Sequence, residues 1–473
     1  MNPRKLLGQG TIYLAMLVLQ RGIQVFLLPF ATRQLPKSDL GILGVAVTLS
    51  AGIAIIATGG LSYAVLRLTG EERPEAGSVS KAQTLVVVQG MVGLLVGALL
   101  WKSGPAWSGL LNNIEWGPAL KMTVVFGVAS AFLMTSVSVL RAKERAELVL
   151  LVTVVQFAVG FPLAILGTER EGAAGYLGGL AIAAVVAAIL SLVLGLDSIR
   201  LHSQTIRHGL IIALPFAVHW LATWVIAGAG RVIAERVLDL EQAGAFYVAS
   251  AVGALPALMV DAAQSAWTPA VYGRSTGVEI RSAALAKVLI SGISAAILLG
   301  AALTPLLLPL VYPAADRVTF MALIFVAAAA LPGISAMLAT SVVASYKQTA
   351  YLAGVSISGA VVAIALNFGL IEGFGMAGAG LALFGTGILS AALLVHRAAS
   401  LESDRIPLAT PILIGVAIIA LGLVVALIST RGLVVQGFVY VMISLVALRL
   451  GIGPVRKLLG YLANTDQPQL ESP

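Results

Sequence analysis

The sequence predicts an all-α polytopic membrane protein with about fourteen transmembrane helices, arranged as two parallel-repeat six-helix bundles around a central cavity plus a C-terminal helix pair. Three observations predict it. Hydrophobic residues make up 59% of the 473 and charged residues only 11%, where a soluble globular chain carries about 25% charge. Apolar runs long enough to cross a bilayer, about 20 residues each, recur along the whole chain. A segment near the first apolar runs also returns 203 positions later.

The apolar runs place spans 1–6 at about 8–33, 40–66, 82–101, 118–140, 148–167 and 174–196. Spans 7–12 follow at about 209–233, 243–270, 285–310, 318–344, 350–371 and 376–396, and spans 13 and 14 at 408–428 and 432–450. The joining segments are too short to hold a soluble domain. Arg4 and Lys5 precede an apolar run as in a signal peptide, but no small-residue cleavage site follows, so span 1 is expected to be retained. Most of the 29 Lys and Arg residues, Arg141, Lys143, Arg145, Arg200, Arg207, Arg274 and Arg281 among them, fall in alternate loops. The positive-inside rule then places both termini in the cytoplasm. The net charge of +8 is accounted for by a basic inner face beside anionic lipid, so nucleic acid is not needed as a partner. The absence of cysteine excludes disulfides and thiolate metal sites.

The repeat pairs Arg33–Ala51, RQLPKSDLGILGVAVTLSA, with Arg236–Ala254, RVLDLEQAGAFYVASAVGA. Arg33/Arg236, Leu35/Leu238, Gly41/Gly244, Val45/Val248, Ala46/Ala249 and Ala51/Ala254 coincide. Near the same offset, Lys143 pairs with Lys347 and Ala146 with Ala350. Six spans separate the copies, and an even number leaves both halves pointing the same way. The expected domains are therefore 1–203 and 204–400, one bundle each, followed by spans 13–14 and the tail at 401–473. Parallel repeats are a transporter architecture, with substrate bound near the midplane between the halves.

Polar residues inside the spans fall on narrow faces. Tyr13, Gln20, Arg21 and Gln24 of span 1 lie within about 100° of arc. In span 8, Tyr247, Ser250, Asp261, Gln264, Ser265 and Thr268 lie within about 120°. His219 and Thr223 share one side of span 7, with Trp220 and Trp224 nearby. Lipid would reject such stripes, so they are expected to face protein or a hydrated cavity. The candidate cavity residues are Tyr13, Gln20, Arg21, Gln24, His219, Thr223, Tyr247, Asp261 and Gln264. Arg21 sits roughly 22 Å from the inner start of span 1 and Asp261 roughly 16 Å from the inner end of span 8, within reach of one another. Two readings follow: a pair that locks the bundles, or an anion site at Arg21 with Asp261 as the coupling carboxylate. His219 is either a hydrogen-bonded packing residue or a proton relay, and the tryptophans are packing or interfacial residues. Gly52, Gly59 and Gly60 in span 2 permit close packing or bending, and Gly175/Gly179 and Gly369/Gly373 are weak Gly-x-x-x-Gly signals.

The segments LPFATRQLPKSDLG and LPFAVHWLATWVIAGAGRVIAERVLDLEQAGAFYVASAVG, with their two Arg-x-Leu-x5-Gly turns, resemble the polysaccharide transporter family. These are the Wzx-type lipid-linked oligosaccharide flippases of the multidrug/oligosaccharidyl-lipid/polysaccharide exporter superfamily. The resemblance implies two six-helix bundles around a cavity lined by spans 1, 2, 7 and 8. It implies transfer of an undecaprenyl-diphosphate-linked glycan from the inner to the outer leaflet of a bacterial or archaeal cytoplasmic membrane. Other polysaccharide assembly proteins and membrane lipids are the partners it implies, and no cofactor. The chain departs from the family in having Gly230, where relatives commonly carry Asp, before Arg231, which is expected at the outer interface.

No Gly-x4-Gly-Lys-Ser/Thr phosphate loop occurs, so energy is expected from an ion gradient, the membrane potential or the substrate's own gradient. An ion-coupled multidrug exporter of the same superfamily is the nearest alternative, for which twelve spans would be expected. A major-facilitator transporter would carry Gly-x3-Asp-Arg-x-Gly-Arg-Arg after span 2, where this chain reads RLTGEERPEAGSVSK. A glycan polymerase or ligase would need a larger outer loop than GPAWSGLLNNIEWG at 104–117, which holds one carboxylate.

Overall fold

The computed structural model describes residues 26–71, 78–143, 145–196, 203–253, 316–346 and 348–401, with isolated positions outside these segments. Every regular element among the described residues is a helix. We number them α1 (Lys37–Thr58), α2 (Leu61–Glu71), α3 (Ser78–Lys102), α4 (Gly104–Ser108), α5 (Pro118–Ala142), α6 (Ala146–Gly195), α7 (Ser203–Val237), α8 (Leu240–Gly253), α9 (Asp316–Ser345), α10 (Thr349–Phe374) and α11 (Met376–Leu401). Among the described residues, seven helices are long and apolar enough to cross a membrane. Spans 13 and 14 and most of span 1 lie outside the described residues.

Glycines set the breaks. Span 2 is expected as one helix over 40–66 but divides in two, because Gly59 (φ 54°) and Gly60 (φ 75°) adopt left-handed backbone that side-chain-bearing residues avoid. Gly59 N–H closes α1 onto Ile55 O at 3.0 Å, and the turn lets Gly60 approach the Ala213 carbonyl of α7. The 50 residues of α6 are two spans rather than one. Glu171 (φ −132°) and Gly172 (φ 57°) leave helical geometry where the sequence predicts the join between spans 5 and 6. The two arms pack back on each other through Gly175 against Gly167 and Gly179 against Ala164. That Gly-x-x-x-Gly is used for close backbone approach; Gly369 and Gly373 face open space.

The contacts divide the chain into two compact units, residues 1–248 with 349–382, and 249–348 with 383–473. In the first unit, Ala54, Ala57 and Ala131 join α1 to α5 through small side chains. A second apolar cluster runs from Leu61, Val65 and Leu85 to Val139 and Ala213. Lys143 caps the far end of α6, its Nζ donating to Gly195 O at 2.6 Å, where a cation complements the helix C-terminus. In the second unit Gly253 of α8 packs on the Phe325 backbone of α9. Arg397 Nε of α11 donates there to Gln348 Oε1 at 2.7 Å.

Candidate functional site

The repeat meets itself within the first unit. A side chain at Gly41 of α1 would collide with the Leu240 carbonyl, and one at Gly244 of α8 with the Lys37 carbonyl. Gly41/Gly244 and Lys37/Leu240 are both pairs at the 203-residue offset, so the contact is reciprocal: each helix presents the same position to its counterpart. Reciprocity of this kind is the mark of a local two-fold relation. Lys37 and Glu241 add an exposed ion pair at 3.7 Å beside the crossing, worth little by itself in such a setting.

Below this crossing α7 lies along α1. Gly52 leaves room for the Trp224 ring, 2.6 Å from where a Cβ would stand, and Trp224 Nε1 donates to Thr48 O at 2.9 Å. Thr48 is buried and joins the elements. Its hydroxyl donates to Gly44 O at 2.8 Å and accepts from Arg231 Nη1 of α7 at 3.1 Å. Gly44 in turn admits Tyr247 of α8, whose Cβ would be 2.6 Å from a Cβ at 44. Arg231 and the buried Tyr176 of α6 are both within electrostatic reach of Tyr247. Arg231 therefore turns inward, into a polar knot shared by α1, α6, α7 and α8. It is half-buried, six residues or roughly 9 Å from the end of α7 at Val237. A guanidinium there, with donors in a planar fork, is equipped to hold a phosphate.

Gly230 has a steric reason. A Cβ at 230 would stand 2.7 Å from Asn367 Oδ1 of α10, so no room remains for an aspartate. Asn367 is buried and its amide nitrogen donates to Ala363 O at 2.7 Å. A neutral carboxamide thus fills the volume beside Arg231.

Of the sequence-predicted site residues, the described ones are His219, Thr223 and Tyr247; Tyr13, Gln20, Arg21, Gln24, Asp261 and Gln264 lie outside the described residues. Tyr247 belongs to the polar knot and is 4% exposed. His219 is half-buried and its Nδ1 lies 2.7 Å from Ser356 Oγ of α10. Thr223 is exposed, and its hydroxyl donates to His219 O at 2.8 Å. His219 and Thr223 thus form a pair of their own, His219 being roughly 18 Å along α7 from Arg231.

The loop at 104–117 is more structured than its sequence suggests. Glu235 of α7 is fully buried; its carboxylate accepts from Asn113 N–H at 2.6 Å and Asn112 N–H at 3.3 Å. Asn113 Nδ2 returns to Glu235 O at 2.6 Å, and Asn112 Nδ2 to Arg236 O at 2.9 Å. Trp107 and Trp116 pack edge to face with centroids 5.4 Å apart, Trp116 against Trp101 at 6.1 Å. A span-4 approach loop is thereby clamped to the end of span 7. Next to it Asp239 caps α8, accepting from Gln242 N–H at 2.7 Å and Gln242 Nε2 at 2.8 Å. These bonds, the backbone one foremost, hold its carboxyl below the usual carboxylate range. Thr48, Tyr176, Glu235 and Ser356 escape a sequence reading because each gains its role from a partner far along the chain. For Arg231, a cation two residues from the end of span 7 was the available signal.

Among the described residues no group of three or more His, Asp or Glu side chains could hold a metal ion. A family model described as "Polysaccharide biosynthesis protein" matches residues 7–272. No curated protein matches the chain in sequence. Among solved structures, the lipid II flippase MurJ in an inward closed conformation is similar with a TM-score of 0.67 and 14% identity, over 93% of this chain and 97% of that one. A multidrug resistance MATE family transporter of the MOP superfamily, inward-facing, gives 0.63 and 15% over 81% and 96%. The Vibrio cholerae MATE transporter VcmN in a bent form gives 0.58 and 17% over 84% and 97%. At these identities the similarity is one of fold.

Proposed function

Because the chain belongs to the polysaccharide biosynthesis protein family, we propose that it is a flippase that carries a lipid-linked, diphosphate-bearing oligosaccharide from the inner to the outer leaflet of the cytoplasmic membrane. The fold it shares with MurJ and the MATE transporters supports alternating access as the mechanism. The observation that carries the reading is the Arg231 guanidinium. It is half-buried and oriented by Thr48 of α1, the helix that also makes the reciprocal Gly41–Gly244 contact of the two repeats.

A lipid-linked diphosphate joins concentrated negative charge to a very apolar tail. Its headgroup needs cations in a hydrated gap, and a charge within a membrane span is retained only where it has work or partners. Arg21 and Arg231 supply the cations in this proposal, with Tyr13, Gln20, Gln24 and Gln264 as polar lining. Asp261 is the proposed coupling group, releasing Arg21 when it is protonated or when substrate arrives. His219, bonded to Ser356, serves packing. Both termini face the cytoplasm, and spans 1–6 and 7–12 rock against each other.

The test is export in cells that depend on this chain for a surface glycan. Arg21→Ala and Arg231→Ala are expected to abolish export while the protein stays inserted at wild-type abundance. Full export by both variants would refute the anion site. Normal glycan export in a deletion strain, with raised sensitivity to cationic drugs, would point instead to a multidrug exporter.

A further inference from the structure

The face of α3 carries a groove that none of this uses. It has a volume of about 550 Å³ and lies between α3 and α5, floored by Gly90, Gly93 and Gly97 and walled by Val128 and Phe132. That volume falls in the range of sites that enclose a small ligand, ~300–1,000 Å³. At its α3 edge Leu94 is 71% exposed, and Met91, Leu95 and Leu99 on the adjoining face of α3 are exposed and apolar too, so this side of the helix meets the hydrocarbon of the bilayer. One residue does not fit an apolar groove. Gln89 is fully buried, and neither its Nε2 nor its Oε1 has a hydrogen-bond partner among the described residues. The amide lies along the groove floor, its Nε2 3.2 Å from where a Cβ at Gly93 would stand. An amide left unpaired in hydrocarbon costs several kcal/mol, so a partner from outside the chain is worth much there.

The occupant must meet three conditions. It must be dissolved in the membrane, because the groove is reached through apolar side chains. It must be uncharged where it meets Gln89, because among the described residues no charged side chain lines the groove; Lys121 stands at the far end, 6.0 Å from the Trp101 ring. It must both donate and accept, as a hydroxyl does, to satisfy both halves of a carboxamide. From Gln89 to Trp101 the groove runs twelve residues of α3, roughly 18 Å, enough for an extended hydrocarbon chain. We propose that the α3–α5 groove binds a neutral, hydroxyl-bearing long-chain lipid, with its hydroxyl on the Gln89 amide and its chain running over the three glycines toward Trp101. The site requires no transport, and Arg231 is not among the residues that line it.

The probe is hexadecanol carrying a mid-chain diazirine, photolysed with the purified full chain in nanodiscs and mapped by peptide mass spectrometry. Label is expected on segments 89–101 and 124–132, displaced at least tenfold more effectively by hexadecanol than by hexadecane. Gln89→Leu should keep the label and erase that preference. Gly93→Leu should fill the floor and reduce the label at least fivefold. Equal displacement by alcohol and alkane in the wild-type chain would show bilayer chains or a water on Gln89 and overturn the proposal. Label spread evenly over exposed helix faces would do the same. The wild-type competition decides even if either variant fails to fold.

Discussion

Replacing Glu235 with alanine should free the 104–117 loop from the end of α7, and the structure sets the size of the effect. The carboxylate holds two backbone amides, one at 2.6 Å and one at 3.3 Å. Hydrogen bonds to a charged group contribute about 1.5–3 kcal/mol net, and the longer bond falls at the weak end. Their joint loss is about 3 kcal/mol, since the bonds from Asn112 and Asn113 side chains to backbone carbonyls survive the substitution. At 1.4 kcal/mol per decade, local opening should become about a hundredfold more frequent. Hydrogen exchange of a peptide covering 110–117, in detergent at constant pH, reads this directly. Glu235→Gln keeps one acceptor for Asn113 and should fall between wild type and alanine. Acceleration below threefold in the alanine variant, with the rest of the molecule protected as before, would refute the clamp as the element that orders this loop.

Gly230→Asp should destabilise by about 1–3 kcal/mol, as overpacking does, because Asn367 Oδ1 occupies the space. Adding Asn367→Ala should recover much of the loss in a thermal-shift assay; no recovery would mean the collision is not the cause. His219→Ala and Ser356→Ala should be coupled by about 0.5–1.5 kcal/mol in a double-mutant cycle, the worth of their hydrogen bond, and strict additivity would count against it. Asp239 has a folded-state pKa held below its unfolded value, so its cap on α8 is fully present above the unfolded value and is lost as pH falls through the folded one. Exchange at Gln242 N–H should therefore stay slow at neutral pH and rise, relative to intrinsic rates, only below about pH 4. Asp239→Ala should show that rise at every pH.

The spans among the described residues were legible because apolar length is a local property, and so was the join inside α6, where Thr168–Gly172 interrupts two apolar runs with charge and a glycine. The repeat was legible as Gly41 and Gly244, and the structure adds why glycine is needed at both: each faces a carbonyl of the other helix. Gly59 and Gly60 were visible as a place to bend, but that they divide span 2 depends on a left-handed turn. The site was less legible. Arg231 looked like an interfacial cation because its depth was known and its partner was not; Thr48, 183 positions away, turns it inward. The outer loop looked bare with one carboxylate of its own, because the carboxylate that organises it, Glu235, belongs to α7. Gly230 looked like a lost acid until Asn367 was found in its place.

Translocation in proteoliposomes tests the central claim most directly. A fluorescent undecaprenyl-diphosphate-linked oligosaccharide would be reconstituted with wild-type, Arg21→Gln or Arg231→Gln protein, and its arrival in the opposite leaflet followed by a membrane-impermeant quencher. Wild-type protein should move the lipid and each neutral variant should slow it at least tenfold, with inorganic diphosphate inhibiting the wild type alone. Equal rates in all three, indifferent to diphosphate, would contradict a cationic site for the substrate's phosphates.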